Sequence, residues 1–187
     1  NIVGFSNILE NCRNNKVENF LYSSSSSVYG GNMKFPFNEN DPVNHPVSLY
    51  AATKRCNDFM VHSYSHLYYI PAIGMRFFTV YGPWGRPDMA LFKFSRALLT
   101  GETVQLFNGG HHKRDFTFIS DIVDGVIGTL DQIAAPDPAY DPLVPNPGTS
   151  SVPWRIYNIG SDRPVDLIRY LEPVSYTHLT LPTRFSV

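Results

Sequence analysis

The chain has 187 residues, of which 43% are apolar and 17% are charged, a composition typical of a folded globular protein. Its 15 basic and 16 acidic residues give a net charge of -1, which argues against nucleic acid or an anionic membrane as partner. No stretch approaches the roughly 20 consecutive apolar residues of a membrane span and no basic, apolar leader opens the chain, so we expect a cytoplasmic protein.

A helix is predicted at the start of the chain, because apolar residues recur there at helical spacing. The side chains predicted to share its inward face are Ile2, Phe5, Ile8, Leu9 and Cys12.

A strand-helix-strand unit of a parallel sheet is predicted next. A buried strand begins at Phe20 and leads into a serine run and a polar loop broken by prolines. Ser48 can cap a helix that runs from about Leu49 to Leu67 and is stopped by Pro71. A second buried strand, 73–78, follows and is closed by the turn at 81–83. The helix side chains predicted to face inward are Met60, Tyr64 and Leu67.

Shorter elements are predicted in the rest of the chain. They are a helix over 90–99 that ends at Gly101, strands over 104–107, 114–118 and 154–159, a helix over 119–130, and the start of a helix over 165–171. The proline-rich segment 136–153 is expected to be a surface loop. The last residues, 174–187, resemble a translated sequencing adapter and are left out of the fold prediction.

The cysteine and histidine positions predict neither a disulfide nor a metal site. Cys12 and Cys56 are far apart within helical patterns, so both are expected to be reduced packing residues. The pair His111-His112 is expected to be a solvated turn, because no zinc-ligand spacing surrounds it.

Tyr50 and Lys54 are four residues apart on a predicted helix, so their side chains share one face. A phenol with a pKa of about 10 is a poor base at neutral pH. A fixed positive charge nearby favours the phenolate, which can then remove a proton from a sugar hydroxyl. Taken alone, the spacing is a weak signal that more often marks a surface tyrosine and lysine that meet by chance.

Five serines, 23–27, follow the first buried strand, at the end where parallel sheets bind ligands. Their hydroxyls can bond a substrate oxygen, although such a run also occurs in plain turns. A serine run one crossover before Tyr50 and Lys54 is a more specific signal than either feature alone.

Five ordered motifs carry a resemblance to a known family. They are Ser25-Ser-Ser-Val-Tyr-Gly, Tyr50-x-x-x-Lys54, Arg76-Phe-Phe-Thr-Val-Tyr-Gly-Pro, Arg114-Asp-Phe-Thr and Tyr157-Asn-Ile-Gly. With them the chain resembles the extended short-chain dehydrogenase/reductases that act on sugar nucleotides, from Asn1 to about residue 173. Segments 46–54 and 78–90 are similar to the UDP-glucuronate 4-epimerases, which interconvert UDP-glucuronate and UDP-galacturonate.

The resemblance implies an α/β fold: the C-terminal part of a Rossmann-type, doubly wound parallel sheet plus the start of a smaller substrate-binding domain. It assigns 1–82 to the catalytic half of an NAD-binding domain, and 83–173 mainly to the substrate-binding region with returns to the sheet. The Gly-rich turn that binds the NAD diphosphate does not occur in this chain. We therefore expect that turn upstream of Asn1, and we expect these 187 residues alone to be inactive.

The resemblance also implies residue roles. Ser25 would bond the C4 hydroxyl, Tyr50 would be the general base, and Lys54 would assist it and bind the nicotinamide ribose. Phe78 would complete the NAD contacts. The substrate-binding residues would be Ser26, Ser27, Thr79, Arg86 and Arg114, with no metal.

Within that set the arginines suit anionic groups, because a guanidinium offers a planar fork of donors. Arg86 would contact the side of the substrate that bears the carboxylate, and Arg114 would clamp the diphosphate. Thr79 stands where galactose-type epimerases usually have Asn, which fits the uronate subgroup. The implied partners are a UDP-sugar and, as is common in the family, a second copy of the protein.

Three alternatives stay open. One is a decarboxylase or 4,6-dehydratase on the same scaffold, although a dehydratase would carry an Asp-Glu pair where this chain has Ser26 and Ser27. Another is a galactose-type 4-epimerase. The third is a non-catalytic dinucleotide-binding homologue, which would usually lack Tyr50 or Lys54.

Overall fold

A computed structural model describes residues 1–103 and 113–169. Its elements are α1 (Val3–Asn14), β1 (Phe20–Ser25), a 3-10 helix (Ser26–Tyr29), α2 (Leu49–Tyr68), β2 (Ala72–Phe77), β3 (Thr79–Tyr81), α3 (Ala90–Thr100), β4 (Lys113–Phe118), α4 (Ile119–Leu130), β5 (Trp154–Ile159) and β6 (Pro164–Asp166). None of the helices in these two ranges is long and apolar enough to span a membrane.

The described residues divide into two compact units. The first comprises Asn1–Phe78 and Ile122–Ile159. The second comprises the described parts of Thr79–Asp121 and the residues from Gly160 to Arg169.

The sheet of the first unit has three parallel strands in the order β1-β2-β5. The predicted crossover is confirmed, since α2 connects two strands that pair in parallel. Neighbouring residues form rows across the strands, and alternate rows face opposite sides of the sheet. On one side the rows are Phe20–Ala72–Trp154, Tyr22–Gly74–Ile156 and Ser24–Arg76–Asn158.

The first two of these rows build the main core. They pack against Leu9 of α1 and Val61 of α2. The third row, Ser24–Arg76–Asn158, is hereafter called the polar row. It lies at the carboxyl edge of the sheet, so side-chain polarity rises toward the edge where parallel sheets bind ligands.

The opposite side of the sheet is covered by α4 and the loop that follows it. Ile73 and Met75 of β2 form a second cluster there with Val126 of α4 and Ala134. Helices therefore cover both sides of this parallel sheet, as the doubly wound prediction requires.

Helix α2 begins at the predicted cap, whereas its end has a local cause that the sequence analysis did not predict. The Ser48 hydroxyl accepts a hydrogen bond from the Ala51 N–H at 3.1 Å, which satisfies a free donor of the first turn. The helix ends at Tyr68, because Tyr69 adopts a left-handed conformation with φ of 56°.

The predicted inward faces of the two long helices are partly wrong. Met60 and Tyr64 pack on the core, but Leu67 is 67% exposed. The buried stripe of α2 runs through polar Asp58 and Ser65, and Leu67 lies two positions beyond it, about 200° round the helix. On α1, Leu9 and Cys12 are buried and Phe5 packs on the core, whereas Ile2 and Ile8 are exposed.

The second unit contains a sheet in the order β3-β4-β6, in which β3 and β4 are parallel and β4 and β6 antiparallel. Strand β3 is not anticipated by the sequence analysis. The predicted helix over 165–171 is wrong at its start, because Val165 pairs with Arg114 across β4 and β6. Helical residues follow from Leu167. The predicted strand 104–107, the His111-His112 turn and the segment 174–187 lie outside the described residues.

Both cysteines are free thiols in the structure. Cys12 is buried in α1, and that burial raises the pKa of its thiol. Within 1–103 and 113–169, no three His, Cys, Asp or Glu side chains are grouped so that they could hold a metal ion.

Gly74 is a position where a side chain would not fit. A Cβ there would collide with the Tyr22 hydroxyl oxygen and lie 2.6 Å from Cδ1 of Ile156. We expect Gly74→Ala to lower the free energy of unfolding by about 1–3 kcal/mol, because the collision overpacks the core. Urea unfolding followed by circular dichroism measures this change.

The matched control is Gly4→Ala. Gly4 lies in α1, and no heavy atom lies within 4 Å of a Cβ built there. Alanine should stabilise that helix by up to about 1 kcal/mol. Equal stability of the two variants would contradict the packing assigned to the second row.

Candidate active site

The serine run ends β1 and turns directly into the 3-10 helix. Ser25 caps that helix, and its hydroxyl oxygen accepts from the Ser27 N–H at 3.2 Å. Ser25 is buried, Ser26 is half-buried and Ser27 is exposed. Because the Ser25 oxygen acts as the acceptor in this turn, its O–H proton remains available to a ligand.

Tyr50 lies in the first turn of α2 with half of its surface exposed. The Lys54 ammonium nitrogen is 6.0 Å from the centre of the Tyr50 ring and donates to the Ser23 carbonyl at 2.8 Å. The lysine therefore ties the helix that carries Tyr50 to the end of β1. The structure thus brings Tyr50, Lys54 and the serine run to the same edge of the sheet.

Phe78 follows β2 at the same edge. Its N–H donates to the Ile159 carbonyl at 3.3 Å, which continues the pairing of β2 with β5. Its ring packs against the cluster formed by Val28, Tyr29 and Val43, two of which belong to the 3-10 helix.

Thr79, Arg86 and Arg114 belong to the second unit. Thr79 is half-buried in β3 and pairs with Phe116 of β4. Arg114 is exposed on β4, and its guanidinium donates to the Lys113 carbonyl at 3.0 Å. Six of the nine predicted site residues thus lie in the first unit and these three in the second.

Arg86 lies in the turn that leads into α3. Its side chain is 74% exposed, and its Nε is 3.4 Å from a carboxylate oxygen of Asp88. An exposed pair of this kind contributes little in water, so the guanidinium can exchange Asp88 for another anion.

Asp115 is a structural residue whose role is not predicted by the sequence analysis. Its carboxylate accepts from the Ser161 hydroxyl at 2.7 Å and from the Asp162 N–H at 2.8 Å. It therefore fixes the turn between β5 and β6 and is not an ion-pair partner of Arg114. In the sequence, only its position next to Arg114 in the fourth motif singles out Asp115.

A second feature that the sequence analysis missed is a pair of charged side chains in the core. Arg76 of β2 and Asp58 of α2 are fully buried and lie 3.5 Å apart. A charge inside an otherwise apolar strand is the signal that could have revealed the pair, because such residues are seldom buried unpaired.

Comparison with known proteins decides the family. A profile described as the NAD dependent epimerase/dehydratase family matches residues 1–160. The chain belongs to this family.

Several family members are similar to most of the chain. CapI of Staphylococcus aureus is 49% identical over 174 residues, which cover 93% of this chain and 52% of CapI. The probable UDP-glucuronate 4-epimerase of Rhizobium meliloti is 42% identical over 180 residues, covering 93% of this chain and 51% of that protein. The chain therefore spans about half the length of these curated relatives.

A solved family member has the same fold. It is a UDP-glucuronic acid 4-epimerase from Bacillus cereus in complex with UDP-glucuronic acid and NAD. The match has a TM-score of 0.79 and 26% identity, and covers 98% of this chain and 53% of the other. The predicted resemblance and the Rossmann-type α/β fold are thereby confirmed, whereas the residue roles stay predictions.

The capping bond of Ser48 should hold the turn that presents Tyr50. We expect Ser48→Ala to lower the free energy of unfolding by about 1 kcal/mol and to speed hydrogen exchange at the first amides of α2. Exchange followed by mass spectrometry, together with urea unfolding, measures both effects.

Ser63→Ala is the control within the same helix. The Ser63 hydroxyl is exposed and donates to the Phe59 carbonyl one turn back, at 2.9 Å. Alanine favours a helix interior, so stability should stay level or rise. A loss at Ser63 as large as that at Ser48 would show that the cap has no special role.

Proposed function

We propose that the protein that contains this chain is an NAD-dependent 4-epimerase of a UDP-linked uronic acid, interconverting UDP-glucuronate and UDP-galacturonate. The observation that carries the proposal is the anchored lysine: Lys54 is bonded to the Ser23 carbonyl and stands beside Tyr50 at the edge where Ser25 ends β1. Relatives named UDP-glucuronate 4-epimerase, 42–44% identical in Rhizobium meliloti and Arabidopsis thaliana, support the choice of substrate.

Inversion at C4 needs a group that takes the proton of the C4 hydroxyl and later returns it. Tyr50 is proposed for this role, because it is half exposed and lies beside a fixed ammonium. Ser25 has an O–H proton free to bond the same oxygen and so orients the sugar. Removal of this proton together with the C4 hydride, which bound NAD would accept, would give a 4-keto sugar. The sugar would turn within the site, take the hydride back on its other face and recover the proton on its C4 oxygen from Tyr50.

The residues present fit the nicotinamide end of NAD. The Lys54 ammonium has three donors and uses one on Ser23, which leaves donors for ribose hydroxyls. Tyr50, Ser25 and the ring of Phe78 would complete the contacts. When bound, NAD supplies the hydride chemistry at C4. Contacts to its diphosphate and adenosine are not assigned to this chain.

The substrate carries two anionic groups that need charge-assisted donors. Arg114, which is exposed and donates to the Lys113 carbonyl, is proposed to hold the diphosphate. Arg86 is proposed to hold the carboxylate, with Ser26, Ser27 and Thr79 as polar neighbours of the sugar. The carboxylate must be bound tightly, because a 4-keto uronate is a β-keto acid that can lose CO2.

The expected homodimer and the cytoplasmic location stay predictions. Phe59 and Leu67 support the dimer, because these large apolar side chains of α2 are 56% and 67% exposed.

Removal of the Tyr50 hydroxyl should stop the reaction. In the full-length protein that carries this chain, we expect Tyr50→Phe to lower kcat for UDP-glucuronate by about 10²–10⁴-fold, because the proton acceptor is lost. Substrate binding should change little. Nuclear magnetic resonance of the products and calorimetric titration give the two quantities.

Tyr68→Phe is the matched control, since it removes a tyrosine hydroxyl from the far end of the same helix, where it accepts from Arg13. Its kcat should equal that of the parent. Normal turnover in Tyr50→Phe would refute the proposed general base, and a parent without epimerase activity would refute the proposed function.

Loss of the Arg86 guanidinium should change product identity. We expect Arg86→Ala to weaken the preference for UDP-glucuronate over UDP-glucose and to release CO2 with a decarboxylated UDP-sugar. Arg96→Ala is the control, because Arg96 is an exposed arginine on α3 of the same unit. Unchanged selectivity without decarboxylated product would eliminate this role for Arg86, and chromatography of the products decides.

A further inference from the structure

Three residues of the family-type motifs have no part in the reaction proposed above, yet they meet in the first unit. Tyr29 is the tyrosine of the serine motif, Arg76 opens the third motif, and Asn158 belongs to the last one. Together with Asp58 of α2 they form what is here called the Arg76 network.

The network is centred on a guanidinium that is shut off from water. Arg76 is fully buried, and its Nη1 donates to the Tyr29 hydroxyl at 3.1 Å while its Nη2 lies 3.5 Å from Asp58. Because arginine only donates, the Tyr29 hydroxyl accepts from it and gives its own proton to Oδ1 of Asn158, at 2.7 Å. Burial raises the pKa of Tyr29, so this phenol stays neutral and keeps that proton.

Asn158 extends the network to the polar loop after the 3-10 helix. Its N–H donates to a carboxylate oxygen of Glu39 at 2.7 Å, and its side-chain amide donates to the Phe37 carbonyl at 3.0 Å. The Phe37 ring in turn stacks on Tyr29, with centroids 4.5 Å apart and planes 7° from parallel.

Stability alone does not account for this arrangement. The Arg76–Asp58 contact is long, and the same Asp58 oxygen is shared at 3.5 Å with Nη1 of Arg55. Nε of Arg76 has no hydrogen-bond partner among the described residues. Two charges buried with incomplete bonding cost desolvation that their attraction does not fully return, and apolar residues of similar size often serve stability better. The network therefore calls for a role other than simple stabilisation.

That role follows from what the network joins. Tyr29 is the last residue of the 3-10 helix that Ser25 caps. Asp58 lies on α2 one turn beyond Lys54 and two turns beyond Tyr50, so all three share a face. Arg76 bonds both Tyr29 and Asp58 from β2, where it pairs in register with Ser24.

We propose that Arg76 is a positioning residue, which holds the serine turn in register with the Tyr50 helix through Tyr29 and Asp58. The inference rests on the proposed function, in which Ser25 and Tyr50 act on the same substrate oxygen. A small shift of one relative to the other would slow proton transfer without removing a group that binds substrate.

Tyr29→Phe is the sharpest test, because it removes one oxygen from the network and keeps the ring that stacks on Phe37. In the full-length protein we expect kcat for UDP-glucuronate to fall about tenfold while KM stays within about twofold. Hydrogen exchange at the amides of residues 26–31 should become about tenfold faster.

Tyr64→Phe provides the control, since it removes a tyrosine hydroxyl bonded to Glu10 at 3.1 Å and packed on the same core. It should leave kcat and the exchange of residues 26–31 unchanged.

A second pair of variants tests the guanidinium itself. Arg76→Lys should keep more of the parent kcat than Arg76→Met.

The proposal is overturned if Tyr29→Phe leaves both kcat and the exchange of residues 26–31 at parent values, or if Tyr64→Phe changes them equally. It is also overturned if Tyr29→Phe speeds the exchange of residues 26–31 but leaves kcat unchanged, because the motion of the turn would then have no effect on catalysis. A parent inactive on UDP-uronates would refute the proposed function, and the exchange measurement would still decide whether Tyr29 holds the turn.

Discussion

The parallel pairing of β2 with β1 on one side and with β5 on the other decides where the functional groups of the first unit lie. The register aligns Ser24 with Arg76 and Arg76 with Asn158, so motifs far apart in sequence meet in one row. Ser25 follows directly at the strand end, and Lys54 reaches back to the same strand. Without that register the motifs would remain separate pieces of sequence.

The same face of the sheet divides two tasks along its strands. The first two rows are closely packed, since the space beside Gly74 is filled by Tyr22. The apolar surface that they bury stabilises the unit. The polar row buries less apolar surface. Its Arg76 instead holds the serine turn and α2 in register. This separation lets the edge hold costly buried charge, because the rows below it supply the compensating stability.

Local physics made much of this predictable from the sequence. The Ser48 cap, the proximity of Tyr50 to Lys54 and the crossover from β1 to β2 depend on short-range geometry, and all three are found. The predictions that failed are those that depend on contacts between distant parts of the chain. Val165 is drawn into β6 by its pairing with β4, and Leu67 is exposed because Asp58 and Ser65 occupy the buried stripe of α2. Tyr29, Asp58 and Asn158 of the Arg76 network come from three separate segments, which no periodicity relates.

The anchor of Lys54 has a consequence for sequence drift. Its partner is the main-chain oxygen of Ser23, and every amino acid supplies that oxygen. Position 23, whose side chain is exposed, can thus vary with little effect on the anchor as long as the strand persists. Position 54 has no such freedom, since only a long side chain with an ammonium-type donor spans the gap. The acceptor side of this hydrogen bond therefore tolerates substitution, whereas the donor side does not.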